Sequence, residues 1–508
     1  MLHLACQGGN MSITEHLLPL FDINSRGQDG RTPVMYAAVN RVKSVFDLLV
    51  SEGADTSLKG DHNNSVFHLA CLGGNKSIVE QLLPNVDVNS LEDNGRTAIM
   101  EAAFSRNKNV FDFLVSKNAN VKVFDDYRDS VLHSACKGGE TSIVQCVLQM
   151  FDVNTREKKG LTPAMIAASL GNRRLFNVLV SQQADLTLTD DHGNNMLHLA
   201  CQGGNWSIIV HLLPLFDINS REQDGGTAVM YAALNGVKSL FDLVSKVDDM
   251  SLKDDYNAPI FHLACRGGNA SIVEYLLQQS DINHRGFNNR TAVMEAALGG
   301  KANVFSLLVS KEAELNLTDD YNDNVLHFAC LGGDTAIVRN LLKILDINAK
   351  GRNGCTPVMH AAWAGQRNVF SLLVSQSVEM DLLDLSRNNL LHLACQGGNT
   401  SIIKYLLPLF DINSLGEDGW TPIMMAALSG KMDAYDLIAA NGGIPFLTTP
   451  QNDNVLHAAC QGGNKAIVRK VTDSFGINTR GKNGCTPLMR AVVGGHMSVM
   501  KFLMSPGC

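Results

Sequence analysis

The residues of this chain whose types and spacing could do chemistry are a histidine and a cysteine three apart, as in His3/Cys6, His68/Cys71 and His457/Cys460. Positions three apart on a helix share a face, and both side chains are zinc ligands. A tetrahedral site needs four ligands, however, and the pair returns every 65 residues, with one step of 64, with His at 3, 68, 133, 198, 262, 327, 392 and 457. At the packing distance of neighbouring helices, successive copies would stand roughly 20 Å apart, too far to share one ion. The pattern reads as structure: the imidazole bonds the adjacent turn, and the thiol fills a small core slot.

The other constellations fare no better as chemistry. Gly8-Gly9-Asn10 and its copies suggest a phosphate cradle, but the Lys and Ser/Thr of a phosphate-binding loop are absent and no strand precedes them. The segment is a helix break. It also creates glycosylation sequons at Asn10, Asn75, Asn205, Asn269 and Asn399, which helix capping explains without glycosylation. No Ser/His/Asp set is singular, whereas a catalytic group occurs once and in its own pocket. The chain is expected to be no enzyme, with no catalytic residue, metal or cofactor.

These residues are positioned by a repeat. Midway between the His copies runs Thr32-Pro33-Val34-Met35-Tyr36-Ala37-Ala38, whose Thr returns at 97, 162, 227, 291, 356, 421 and 486. Aligning Thr three residues before His divides the chain into sixteen units of about 33 residues, a solenoid period. Thr32 is a helix N-cap and Pro33 suits the first helical position. Ala37 and Ala38 let a neighbouring helix come close. Gly171, Gly236, Gly300, Gly365, Gly430 and Gly495 predict left-handed ends. Arg41 and Arg106 stand in the same slot, which predicts strain or a reshaped turn.

A second helix follows with Val45, Phe46, Leu48 and Leu49 on its apolar face. In the His-bearing units Ser65, Ser130, Asn195, Asn324, Asn389 and Asn454 are the N-caps. There Asn10 starts a second helix that buries Ile13, Leu17 and Leu18, and Pro19, Pro84, Pro214 and Pro408 stop it. The exit Asp22-Ile23-Asn24 recurs as Asp-Ile/Val-Asn in every copy but Gly476-Ile477-Asn478. One unit, at Leu243–Asp248, has lost a residue and a kink is expected there.

The whole chain of 508 residues is expected to be one continuous array, its first repeat truncated and its last uncapped, since Met1 falls inside a unit and the final helix carries Met497, Val499, Met500, Phe502, Leu503 and Met504. No apolar run approaches the roughly 18 residues a membrane span needs, so no membrane insertion is expected. A net charge of -8 gives no basic footprint for nucleic acid. Eight of the twelve cysteines share one phase of the repeat, which suits equivalent reduced sites rather than disulfide pairs. That points to the cytoplasm, with the nucleus also open.

The units resemble ankyrin repeats, whose pattern T-P-L-H-x-A is spread here over two alternating versions. Thr-Pro survives in one (Thr32-Pro33, Thr356-Pro357, Thr421-Pro422, Thr486-Pro487) and the His in the other. Met35, Met100, Met165, Met230, Met294, Met359, Met424 and Met489 replace the His in the Thr-bearing units, so the Thr-to-His bond that the family uses is missing there. The resemblance implies an all-α fold: an α-solenoid of about sixteen helix-turn-helix repeats with hairpin-like turns, a curved rod with a concave groove. It also implies a non-catalytic scaffold for partner proteins, most simply a monomer.

By that pattern two variable positions face the groove. One, in the first helix, runs Tyr36, Glu101, Ile166, Tyr231, Glu295, His360, Met425, Arg490. The other, before the Thr, runs Arg31, Arg96, Leu161, Gly226, Arg290, Cys355, Trp420, Cys485. The alternate turns present Asp61-His62, Asp126-Tyr127, Asp191-His192, Asp255-Tyr256 and Asp320-Tyr321, an acidic and aromatic edge suited to a basic partner. The partner-binding candidates are therefore Tyr36, Tyr127, Tyr231, Tyr256, Tyr321, Arg31, Arg96, Arg290 and Trp420. The alternative is that the chain is the cytosolic repeat segment of a larger channel, receptor or enzyme.

Overall fold

The computed structural model describes residues 1–27, 30–60, 63–92, 94–238, 241–242 and 259–505. They cluster into two compact units, Met1–Tyr231 and Ala232–Cys508. The irregular stretch at Leu243–Asp248, and the turn residues Asp61, His62, Asp255 and Tyr256, lie outside the described residues.

Within each unit the chain is a succession of antiparallel helix pairs, such as Val66–Gly73 with Lys76–Leu82 and Ala98–Phe104 with Lys108–Ser116. Helices this short are unstable alone; burial against neighbours holds them. First helices pack on first helices of the next repeat, and second helices more sparsely on second helices. Met35, Ala37 and Ala38 are buried, as are Val45, Phe46 and Leu49 behind them. Leu48 is half-buried. Each fully buried Phe or Leu contributes about 1.5–3 kcal/mol by leaving water.

The first glycine of each Gly-Gly pair is where two backbones meet. A Cβ on Gly73 would strike the carbonyls of Ala38 and Val39, and one on Gly332 those of Ala297 and Leu298. The second glycine is left-handed, as at Gly74 (φ 86°) and Gly333 (φ 87°), and ends the helix. Asn75 then does two jobs. Its Oδ1 accepts the N–H of Ser77 at 3.1 Å, and its Nδ2 donates to the Arg41 carbonyl of the preceding repeat at 3.1 Å. Asn205, Asn399 and Asn464 repeat that clamp on Gly171, Gly365 and Gly430. Arg41 and Arg106 keep the left-handed conformation of their glycine counterparts, with φ of 66° and 64°. Those turns are therefore strained and not reshaped.

The Asp-Ile-Asn exits are a ladder. Asp22 Oδ1 accepts the Asn24 N–H at 2.9 Å, and Asn24 Oδ1 accepts the N–H of Asp55 in the next repeat at 2.8 Å. The same link joins Asn89 to Asn120, Asn154 to Asp185 and Asn348 to Glu379. Isolated antiparallel bridges, Lys59–Ser65, Phe124–Ser130 and Thr318–Asn324, close hairpin-like turns. Short 3-10 turns at Leu18–Leu20 and Leu213–Leu215 carry the helix-stopping prolines.

One expectation for the core fails. Ile13 is 50% exposed while its equivalent Ile78 is fully buried, because Ile78 packs toward a preceding repeat and Ile13 has none against it. Leu17 and Leu18 are half-buried. At the other end Val499 and Leu503 are buried, whereas Met497 and Met504 are exposed. No helix among the described residues is long and apolar enough to cross a membrane.

Candidate functional site

The His of the His-x-x-Cys pair is consumed by the frame. The Ser130 N–H donates to Nδ1 of His133 at 3.2 Å, so the proton sits on Nε2, which donates to the Thr155 carbonyl at 3.0 Å. His198, His392 and His457 repeat both bonds, each reaching the carbonyl 22 residues onward. Burial lowers the pKa of each of these four imidazoles, and that of His68 to about 4. The paired thiols are buried and in no disulfide, and burial raises them, Cys6 to about 11 and Cys201 to about 12. A neutral thiol is a poor metal ligand. Among the described residues no His, Cys, Asp and Glu cluster could hold a metal ion.

In the Thr-bearing repeats that begin at Thr32, Thr162, Thr291 and Thr356, methionine takes over half of that role. The N–H of Thr32 donates to Met35 Sδ at 3.3 Å, and those of Thr162, Thr291 and Thr356 reach Met165, Met294 and Met359 Sδ at 3.4 Å. The thioether accepts as Nδ1 does, but has no proton for the second bond.

The two variable positions meet each other. Arg96 lies 2.5 Å from Glu101 and 3.5 Å from Asp125 of the next turn. Arg290 stands 3.7 Å from Glu295 and 3.8 Å from Asp319, and Arg490 binds Asp453 at 2.8 Å. Glu101, Ile166, Glu295, His360 and Met425 are buried, so at these repeats the helix position faces the neighbouring turn and not an open groove. Where the two touch, the helix position is matched by the residue five earlier: Arg96 with Glu101, Arg290 with Glu295, and Gly226 against the Tyr231 ring. A large residue faces a small one, and a cation an anion.

The remaining candidates sit as follows. Tyr36 is half-buried, its ring edge-on to His3 at 5.6 Å, and Arg31 is half-buried. Tyr231 is half-buried, donates its hydroxyl to Asn194 Oδ1 at 3.2 Å, and has its pKa raised to about 12 by burial. Trp420 is half-buried, its carbonyl accepting from His392 Nε2 at 3.2 Å. Tyr127 and Tyr321 stand out at 50% and 40% exposure. Each carries a cation from the next turn over its ring: Lys158 at 5.7 Å and Arg352 at 4.5 Å.

The turn tips that carry these tyrosines are tied to one another by backbone. Asp126 N–H donates to Asn94 O, Lys158 N–H to Tyr127 O, Asp320 N–H to Asn288 O and Leu385 N–H to Asn353 O, at 2.7–3.0 Å. In the described Asp-Asp turns the first aspartate, Asp125, Asp190 or Asp319, is buried and closes its own loop; Asp125 Oδ1 accepts the N–H of Tyr127 and of Asp129, each at 2.9 Å. Only the second aspartate, Asp126, Asp191 or Asp320, is exposed. The sequence pattern did not single out Phe104, Leu170 and Trp363, exposed apolar residues at the ends of first helices. An apolar side chain where a helix end is normally polar was the available signal.

Comparison with known proteins agrees with this architecture. A family model described as ankyrin repeats matches overlapping stretches, 1–60, 43–125, 122–190, 165–248, 197–286, 230–319, 293–384, 358–446 and 434–508. The human transient receptor potential cation channel subfamily A member 1 is 24% identical over 496 residues, 93% of this chain and 42% of its own length. Ankyrin repeat domain-containing protein SAT10 of Stachybotrys chartarum is 22% identical, over 88% of this chain and 21% of its own. The probable 26S proteasome regulatory subunit p28 of Saccharomyces cerevisiae is 27% identical over 38% of this chain and 89% of its own. The chain thus spans less than half the length of the first two. Repeat frame, helix pairs and family model coincide, and the chain belongs to the ankyrin-repeat family.

Proposed function

We propose that this chain is a non-catalytic scaffold in the cytoplasm that holds partner proteins along its turn tips and first-helix ends. The observation that carries this reading is the exposed aromatic at a turn tip in each unit, Tyr127 in the first and Tyr321 in the second, while the repeated cysteines are buried in the frame. Rigid aromatics with a neighbouring cation are what interfaces favour. Affinity capture with the full chain should retain a defined partner, and Tyr127→Ala combined with Tyr321→Ala should lose it without lowering the melting temperature. Capture of the same proteins by the double variant would overturn the placement.

A second reading is that the chain serves as the cytosolic repeat segment of a longer protein such as a channel. The match to 42% of the human channel, over 93% of this chain, supports it. Transcript sequence running open beyond codons 1 and 508 into a membrane domain would establish it, and flanking stop codons would end it.

A further inference from the structure

Four successive turns of the Ala232–Cys508 unit present a surface unlike the acidic edge that the sequence suggests. Phe287, Tyr321 and Leu385, at 39%, 40% and 81% exposure, stand on three of these tips, and Arg352 on the one between lays its guanidinium over the Tyr321 ring. Asp319 and Asp384 are buried, closing their own loops through the N–H groups of Tyr321 and Asn388. Within the tip residues 285–290, 319–323, 350–355 and 384–388, Asp320 is the exposed carboxylate, and it holds Asn289. Against it stand four exposed cations, Arg285, Lys350, Arg352 and Arg387. Arg285 is held by the carbonyls of Asn289 and Thr318, which leave its charge uncancelled, and Arg387 and Lys350 make no side-chain ion pair among the described residues.

We infer that this edge docks an acidic peptide carrying spaced apolar side chains, a refinement that rests on the scaffold reading. The charge balance selects an anionic occupant although the whole chain is net negative at -8, and the exposed Phe, Tyr and Leu require apolar contacts with it. Adjacent turns follow helices packed about 10 Å apart, and a peptide in the polyproline II conformation advances about 3.1 Å per residue with three residues per turn, so that every third side chain shares one face. Every third residue of the peptide therefore meets a tip, with its acidic residues falling between them toward the cations. The inter-turn bonds to Asn288 and Asn353 hold the tips in place, so little ordering is needed on binding.

The test uses the full chain and a fluorescein-labelled peptide of four Leu-Glu-Glu repeats, with a Leu-Lys-Lys counterpart, read by anisotropy. The acidic peptide should bind, more weakly as salt rises. Lys350→Glu, Arg352→Glu and Arg387→Glu together should weaken it by at least about tenfold. Arg352→Lys with Arg387→Lys should retain it, and reversal of Lys404 on a second helix and of Lys311 and Lys343 just past the ends of two others should leave it unchanged. Equal binding of the basic peptide, or indifference to the tip reversals, would overturn the inference. If neither peptide binds while the captured partner is still lost from the tyrosine variant, this inference fails and the scaffold reading stands. If the acidic peptide binds through the tips but no protein is captured, the reverse holds.

Discussion

At the scale of the residue, the frame asks for a conformation or a bonding capacity and accepts whichever side chain supplies it. The slot after the first helix needs a left-handed residue, and where Gly171 or Gly365 sits without strain, Arg41 is held at φ 66°. Such a conformation costs an L-residue on the order of 1–2 kcal/mol, partly offset by the entropy a glycine loses on folding. Arg41→Gly should therefore raise stability by about 0.5–1 kcal/mol, seen as a higher urea midpoint; a lower midpoint would show that the Arg41 bond to Asn107 outweighs the strain. The same logic explains methionine. Its Sδ accepts the threonine N–H in four repeats, an equivalence invisible in the letters, where Met for His reads as loss of a bond.

At the scale of the helix pair, the close approach of backbones is the feature most sensitive to one added carbon. Gly332→Ala places its Cβ on the Ala297 carbonyl, whereas Gly8, in the same register, has nothing within 4 Å of its Cβ. The first change should cost about 1–3 kcal/mol by overpacking, and Gly8→Ala should gain up to about 1 kcal/mol from helix propensity. Equal effects in thermal melts would show that the approach is not what the glycine serves. Caps, glycine turns, the buried Val45-Phe46-Leu49 face and the clamp histidines were legible because each depends on local spacing and repeats. The pairing of Arg96 with Glu101 was not, since it needs Asp125 from the next turn to make sense. Nor was the burial of Asp125 and Asp319 behind the exposed Asp126 and Asp320, because a run of two aspartates looks alike in the sequence whichever one turns inward.

At the scale of the molecule, the clamp histidines couple the stack to pH. His68, His133, His198, His327, His392 and His457, with His360 beside His327, are all depressed by burial, His68 to about 4 and His360 to about 3. They are neutral when folded, while the unfolded chain takes up protons below the ordinary value of 6.5. Stability is therefore complete above about 6.5, falls as pH drops, and stops falling from this cause only below the folded values. His68 alone contributes on the order of 3 kcal/mol across that window. Glu295, Asp125 and Asp319, raised by burial, work in the opposite sense at the acid end. Chemical denaturation at pH 7.5 and pH 5 should show a clear loss at pH 5; identical midpoints would refute the clamp assignment.

The backbone bonds from one turn tip to the next, such as Lys158 to Tyr127 and Asp191 to Lys159, run from repeat to repeat and not along the strands of a hairpin. Tension applied lengthwise to such a stack loads them singly, as teeth of a zip, and never as a row sheared together. Each tooth that parts frees about 33 residues, roughly 100 Å of slack at full extension, while the teeth behind it stay shut. Within each unit, a stack held this way should yield to a pull by small, even increments of one repeat at a time.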